Sequence, residues 1–196
     1  MIKLLSQSIL DSFIDKSVTN EEDKSIYAYG AEIAIAYLAN LLAMIIISTM
    51  MNMLIECIVF LIIFVPLKSY TGGYHASNYK ICFVISCFTV AGVLLITKNV
   101  AVQTDEFVLF LIMAIAGILI YILGPIEDKN KPLAKNEYIH YKGKIKSILI
   151  IEFILAVIMN SIGLHKILFI FCSSFAIAFG LSILGFVKNR INETYV

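Results

Sequence analysis

An all-α, polytopic integral membrane protein is the fold this sequence predicts, and three observations predict it. Of its 196 residues, 60% are hydrophobic and 15% charged, against roughly 45–50% and about 25% in soluble domains. The stretch from Ala31 to Leu67 holds no Lys or Arg, and as one helix it would measure about 55 Å at ~1.5 Å per residue, nearly twice the roughly 30 Å hydrocarbon layer. The basic residues, finally, gather at alternate ends of the apolar runs.

The opening MIKLLSQSILDSFIDK interleaves Leu, Ile and Phe with polar and charged residues, which predicts an N-terminal amphipathic helix lying in the membrane interface. It lacks the apolar core and small-residue cleavage site of a signal peptide, so the segment is expected to be retained. The long apolar stretch that follows must fold as a hairpin. Ser48, Thr49 and Asn52 mark its turn, giving spans near 28–49 and 51–67. Four further apolar runs, at about 81–97, 106–124, 147–162 and 167–187, bring the expected count to six.

Six spans place both termini on one side, together with the loops after the second and fourth spans. Thirteen of the 15 basic residues fall there, and only Lys98 and Lys166 fall opposite. Lys and Arg accumulate on the cytoplasmic side of membrane spans. Both termini, the 68–80 loop and the 125–146 loop are therefore expected to face the cytoplasm, in a multi-pass protein of the cell membrane with the lipid bilayer as its surroundings. Short loops and the lack of internal repeats read residues 1–196 as one membrane-embedded domain.

Composition also excludes. With 15 basic against 14 acidic residues there is no basic excess to hold nucleic acid, and none is expected as a partner. Cys57, Cys82, Cys87 and Cys172 show neither CxxC nor metal-ligand spacing, and His75, His140 and His165 fall in separate loops. Neither a disulfide, a metal nor an organic cofactor is expected.

The chemistry-bearing segment is Lys68-Ser-Tyr-Thr-Gly-Gly-Tyr-His-Ala-Ser-Asn-Tyr-Lys-Ile-Cys82, between the second and third spans. Gly72 and Gly73 permit backbone angles closed to other residues and allow close approach of another chain, so the loop can fold back on itself. Ser77 or Asn78 suits the N-cap of the third helix, which sets Cys82 about one turn inside, where the helix dipole favours thiolate. His75 lies just before the cap. On one continuous helix, seven residues would separate the two by about 10 Å along the axis, so a His–Cys dyad requires the diglycine loop to bring the imidazole back. If it does, His75 takes the thiol proton and the thiolate attacks a carbonyl, giving a thioester acyl-enzyme. The plain alternative is a packed thiol and an interfacial histidine.

Glu32 and Glu152 are acidic groups inside apolar runs, where ionisable side chains are costly and tend to have a partner or a role. Glu32 could orient His75, bind a substrate amine or pair with Lys68. The second polar segment, Gly124-Pro-Ile-Glu-Asp-Lys-Asn-Lys-Pro-Leu133, is stiffened by its two prolines and presents Lys129 and Lys131, either as topogenic charge or as a cationic clamp for an acidic peptide.

Taken together, Thr-Gly-Gly-Tyr-His75-Ala with Cys82 seven positions on, Tyr-Gly-Ala-Glu32 upstream and the Gly124 to Leu133 segment downstream resemble the accessory gene regulator B (AgrB) family. The likeness covers most of the chain: its length, its amphipathic start, its six-span hydropathy and the order of the motifs. It implies a membrane cysteine endopeptidase that processes a quorum-sensing, AgrD-like propeptide, with Cys82 as nucleophile and His75 as catalytic histidine. By the same likeness Glu32 and the Lys129 to Lys131 segment match positions associated with function; Glu32, Lys68, Gly72, Gly73, Lys129 and Lys131 are expected to orient or bind substrate, and a homodimer is implied. It further implies that an internal thiol or hydroxyl of the propeptide attacks the thioester, releasing a cyclic thiolactone or lactone. One departure stands out. Where the family often shows an Arg pair before the glycines, this chain has Lys68-Ser69, which keeps a charge without the bidentate geometry of guanidinium. A reading from another class is a small transporter or exporter subunit, with Glu32, Glu152 and Asn40 lining a polar route; it leaves the diglycine loop and Cys82 without purpose.

Overall fold

The computed structural model describes residues 21–74, 76, 78–100, 104–127 and 133–194. Six helices make up nearly all of it: α1 (Glu21–Met50), α2 (Leu54–Thr71), α3 (Tyr79–Val100), α4 (Glu106–Leu123), α5 (Lys135–Ser161) and α6 (His165–Thr194). The expected amphipathic N-terminal helix, His75, Lys129 and Lys131 lie outside the described residues.

The helices begin and end where local chemistry dictates. The α1–α2 turn falls at residues 51–53, with Asn52 in the left-handed region at φ 56°; asparagine tolerates this because its short polar side chain bonds locally. Thr49 donates to Ile45 O at 2.7 Å, so its hydroxyl is satisfied within the last turn of α1. Asp105 caps α4 by accepting from Phe107 N at 2.8 Å and Val108 N at 3.3 Å, supplying acceptors for two orphan amides.

Among the described residues, five helices are long and apolar enough to cross a bilayer: α1, α2, α3, α4 and α6. The fifth in order, α5, carries its apolar run behind Lys142, Lys144 and Lys146, yet it too runs the full height of the bundle. Lys142 near its start reaches Gly124 O at the finish of α4, and Asn160 near its end donates to Glu106 at the start of α4. One end of the bundle thus gathers the α2–α3 loop, the α4–α5 loop and the finish of α6. The other gathers the α1–α2 turn, the Glu106–His165 ion pair at 2.8 Å and Lys98, which donates to Met51 O.

The most enclosed helix is α6, which packs against α2, α3, α4 and α5, whereas α1 leans mainly on α2 and α3. Lipid tails are as apolar as leucine, so packing rather than water exclusion must join the helices, and small residues let backbones approach. Gly117 of α4 does so: an added Cβ would stand 3.2 Å from the Phe175 ring of α6. Phe60, Leu94, Met113, Ile120, Ile145 and Phe175 fill the buried interior. Leu38, Ile46, Ile62, Phe88, Phe107 and Ile118 point outward, a surface that suits hydrocarbon because every helical backbone group is already bonded.

Candidate active site

The diglycine segment is a strap drawn tightly across one end of the bundle. Where α2 stops at Thr71, Gly72 takes φ 68° and Gly73 φ 95°, a region that favours glycine. Thr71 O accepts from Ile126 N at 2.9 Å, Gly72 pairs with Ile126 in an isolated parallel bridge, and Tyr74 N donates to Leu181 O at 2.8 Å. A Cβ on Gly72 would meet Ile126 O at 2.2 Å, and one on Gly73 would meet Leu181 O at 2.6 Å. The strap is held by the α4–α5 loop on one side and by α6 on the other. Both roles expected for the glycines are realised, backbone angles that favour glycine and close approach to a neighbouring segment.

Lys68 fastens it from beneath. Its ammonium donates to Gly72 O and, at 3.3 Å, to Tyr74 O, satisfying carbonyls just past a helix C-terminus, where a cation is favoured. Above the strap, Lys188 of α6 lies over the Tyr74 ring, 5.2 Å from its centroid, a contact worth about 0.5–1 kcal/mol when exposed.

A second lysine secures the neighbouring loop. Lys142 of α5 donates to Tyr121 O, to Ile122 O at 3.3 Å and to Gly124 O at 2.6 Å, covering the open carbonyls of the α4 C-terminus. Its ammonium also sits over the Tyr121 ring at 4.6 Å, and burial pushes it below the usual lysine range. Asn189 of α6 donates to Glu127 O at 2.7 Å, so the α4–α5 loop is tied at both flanks.

Cys82 stands in the first turn of α3. Asn78, one of the two expected caps, accepts from Ile81 N at 2.9 Å, and Cys82 N donates to Asn78 O at 3.1 Å. Its thiol is exposed, whereas Cys57 and Cys172 are buried and Cys87 is half-buried; all four are free thiols. Cys82 at the start of α3 lies at the same end of the bundle as Lys68 near the finish of α2, and so does Glu32 in α1, which packs on α3. Lys68 of α2, the strap glycines Gly72 and Gly73, Cys82 of α3 and Glu32 of α1 therefore lie at one end of the bundle. Ser77, like His75, Lys129 and Lys131, lies outside the described residues.

The structure adds residues that sequence reasoning missed. A Cβ on Gly185 would lie 2.4 Å from Gly73 Cα, so α6 is glycine here to let the strap pass; the Gly180–Gly185 spacing is no GxxxG pattern and carried no signal. Lys142 counted only among the basic residues of the 125–146 loop, and Tyr74 carried no assigned role.

The Accessory gene regulator B family profile matches residues 6–187. The chain belongs to that family. Two AgrB-like relatives come from Clostridium perfringens. AgrB-like protein 2 of strain 13 / Type A is 27% identical over 166 residues, spanning 79% of this chain and 75% of its own length. An AgrB-like protein of strain SM101 / Type A is 28% identical over 167 residues, with the same shares. No solved structure matches the chain. Membership makes this a multi-pass membrane protein of quorum-sensing accessory gene regulation, in an AgrB family that processes peptides and is partnered by AgrD-like propeptides.

Proposed function

We propose that the protein is a membrane-embedded cysteine endopeptidase that removes the C-terminal part of its propeptide through a thioester on Cys82 and then promotes cyclisation. The observation that carries this reading is the exposed Cys82 thiol in the first turn of α3, reached along the chain through a strap whose last pinned residue, Tyr74, immediately precedes His75.

In this reading His75 takes the thiol proton, and the Cys82 sulfur attacks the carbonyl carbon of the scissile amide. The C–N bond breaks, the leaving amine takes the proton from His75, and the acyl group stays on sulfur as a thioester. An internal cysteine thiol or serine hydroxyl of the tethered peptide then attacks that carbonyl, closing a thiolactone or lactone and returning the proton and thiol to Cys82. A tethered nucleophile has a high effective molarity, and a site partly screened by lipid limits competing hydrolysis. The strap end of the bundle, with both termini, faces the cytoplasm in this reading, because that end carries the excess of Lys and Arg.

The test is intact-mass detection of a covalent acyl adduct after purified protein in nanodiscs meets candidate AgrD-like propeptides. Cys82→Ala and His75→Ala should each abolish the adduct in folded protein; undiminished processing by Cys82→Ala removes the peptidase reading. For orientation, a single cysteine at Asn130 should label only in permeabilised cells and one at Thr104 in intact cells. The reverse pattern inverts the topology.

A further inference from the structure

Two hollows lie in line on the seam between α4 and α6. Glu106 and His165, the first residues of these helices, pair at one end of the bundle, and their finishes line one groove at the strap end, so the two helices run parallel. The groove has a volume of about 390 Å³. Leu123, Ile126 and Phe186 give it an apolar floor, and Glu127 and Arg190 set opposite charges on its rim. Asn189 ties the rim through the Glu127 carbonyl, a bond in which the carboxylate takes no part, while the Arg190 guanidinium lies over the Phe186 ring, 5.5 Å from its centroid. The second hollow, a slot of about 220 Å³, has only apolar side chains in its walls, Ala116 and Leu119 of α4 and Ala176 and Phe179 of α6 among them. Ala116, Leu119 and Leu123 fall at i, i+3 and i+7, and Phe179, Phe186 and Arg190 at i, i+7 and i+11, spacings that keep each set on one helix face. Ala116 to Leu123, like Phe179 to Phe186, measures about 10 Å along the helix. The slot therefore lies that much deeper in the hydrocarbon, under the groove.

We propose that this seam holds one phospholipid of the phosphatidylethanolamine class, its ammonium on Glu127, its phosphate on Arg190 and an acyl chain in the slot. The site is independent of the peptidase reading. Lys142 over the Tyr121 ring and Lys188 over the Tyr74 ring stand at the same end of the bundle, the residue types that gather at a membrane–water interface, so the groove sits at headgroup level. Its two charges are of opposite sign, and a headgroup of one sign would face a like charge on one rim. A zwitterion meets both. A primary ammonium brings three N–H donors to the carboxylate, where a quaternary choline brings none, and the guanidinium fork matches a phosphate while keeping donors for another partner. The slot selects against a peptide, since at that depth every backbone group needs a partner and these walls supply none. An acyl chain needs only van der Waals contact, and the alanines at 116 and 176 leave the hollow that admits it.

The experiment titrates the full chain in detergent with dioleoyl phosphatidylethanolamine, phosphatidylcholine or phosphatidylglycerol, and native mass spectrometry reads the lipid retained. Wild type should keep one phosphatidylethanolamine about tenfold more tightly than either of the others, the worth of a charge-assisted hydrogen bond. Glu127→Gln should bring phosphatidylethanolamine down to the level of phosphatidylcholine and leave the latter unchanged. Arg190→Met should weaken both, because they share the phosphate. Ala176→Phe, which fills the slot without touching the rim, should weaken all three lipids. These three positions are exposed, so the variants should fold, and Cys82→Ala should bind as wild type does. Equal retention of phosphatidylethanolamine and phosphatidylcholine by wild type, a preference for phosphatidylglycerol, or wild-type retention in both Glu127→Gln and Ala176→Phe overturns the site. A lipid-free dimer that Ala176→Phe turns into monomer also overturns it, giving the seam to a second copy of the chain.

Discussion

Gly73 and Gly185 meet backbone to backbone: a Cβ built on Gly185 would stand 2.4 Å from Gly73 Cα and 2.6 Å from Tyr74 N. Gly185 is thus glycine because a strap more than a hundred residues earlier in the chain passes there, while Gly73 is glycine because its φ is positive and Leu181 O lies across it. In an exposed helix, Gly→Ala normally gains about 0.5–1 kcal/mol. Gly185→Ala should instead destabilise, because the atoms it strikes are main chain, Tyr74 N among them already bonded to Leu181 O. Gly180→Ala on the same helix, with nothing within 4 Å, should be neutral or slightly stabilising. Thermal unfolding in detergent checks both, and a stable, fully active Gly185→Ala would show that the strap is free to move.

Lys68 donates its ammonium to Gly72 O and Tyr74 O, which argues for a fastening of the strap over a clamp for a substrate carboxylate. Lys68→Met keeps the length and removes the donors. It should slow acyl-adduct formation by about tenfold or more, two hydrogen bonds from a charged donor being worth roughly 1.5–3 kcal/mol each, with little change in the affinity for propeptide. A clamp would give the opposite split, weaker binding at an unchanged rate of adduct formation once saturated.

How much of this was legible beforehand depends on what each feature asks of side chains. A bilayer demands long apolar runs, so the hydropathy reading of 106–124 fell within a residue of α4 (Glu106–Leu123). The same reading stopped short on α6, expected over 167–187 but extending over His165–Thr194, and on α5, which starts at Lys135 rather than 147. Lys, Arg and Glu are good helix formers, so these helices continue past the hydrocarbon, where hydropathy is blind. Those extensions carry Lys142, Lys188 and Arg190. The strap was half legible. Paired glycines announced a close approach, but its partners are the carbonyls of Ile126 and Leu181, and a backbone carbonyl leaves no mark in a sequence.

Lys142 supplies the donors that cover Tyr121 O, Ile122 O and Gly124 O, so its removal should be felt through α4 rather than through any reacting atom. Lys142→Met is expected to cost about 1–3 kcal/mol, the penalty for leaving such carbonyls without partners, read as a lower unfolding midpoint. Lys144→Met, two positions on and exposed, should stay within about 0.5 kcal/mol of wild type, as surface changes do. Equal effects of the two would reduce Lys142 to one more topogenic charge.

Glu152 presents the reverse case, a group whose loss should help. It is only 7% exposed in the middle of α5, and its Oε2 has no hydrogen-bond partner. Whichever protonation state it adopts, a carboxyl so placed keeps a polar oxygen unsatisfied, at a cost of roughly 1–3 kcal/mol, and a charge within the bundle would cost more. Glu152→Met, similar in length and without polar oxygens, should therefore raise the unfolding midpoint, by an amount equivalent to about 1 kcal/mol or more. Adduct formation should persist, because Glu152 lies some seven residues beyond Ile145 toward the far end of the bundle, about 10 Å along the helix, while the strap is anchored at the near end. A better-folded Glu152→Met protein that no longer forms the adduct would make this carboxyl a participant in handling the peptide.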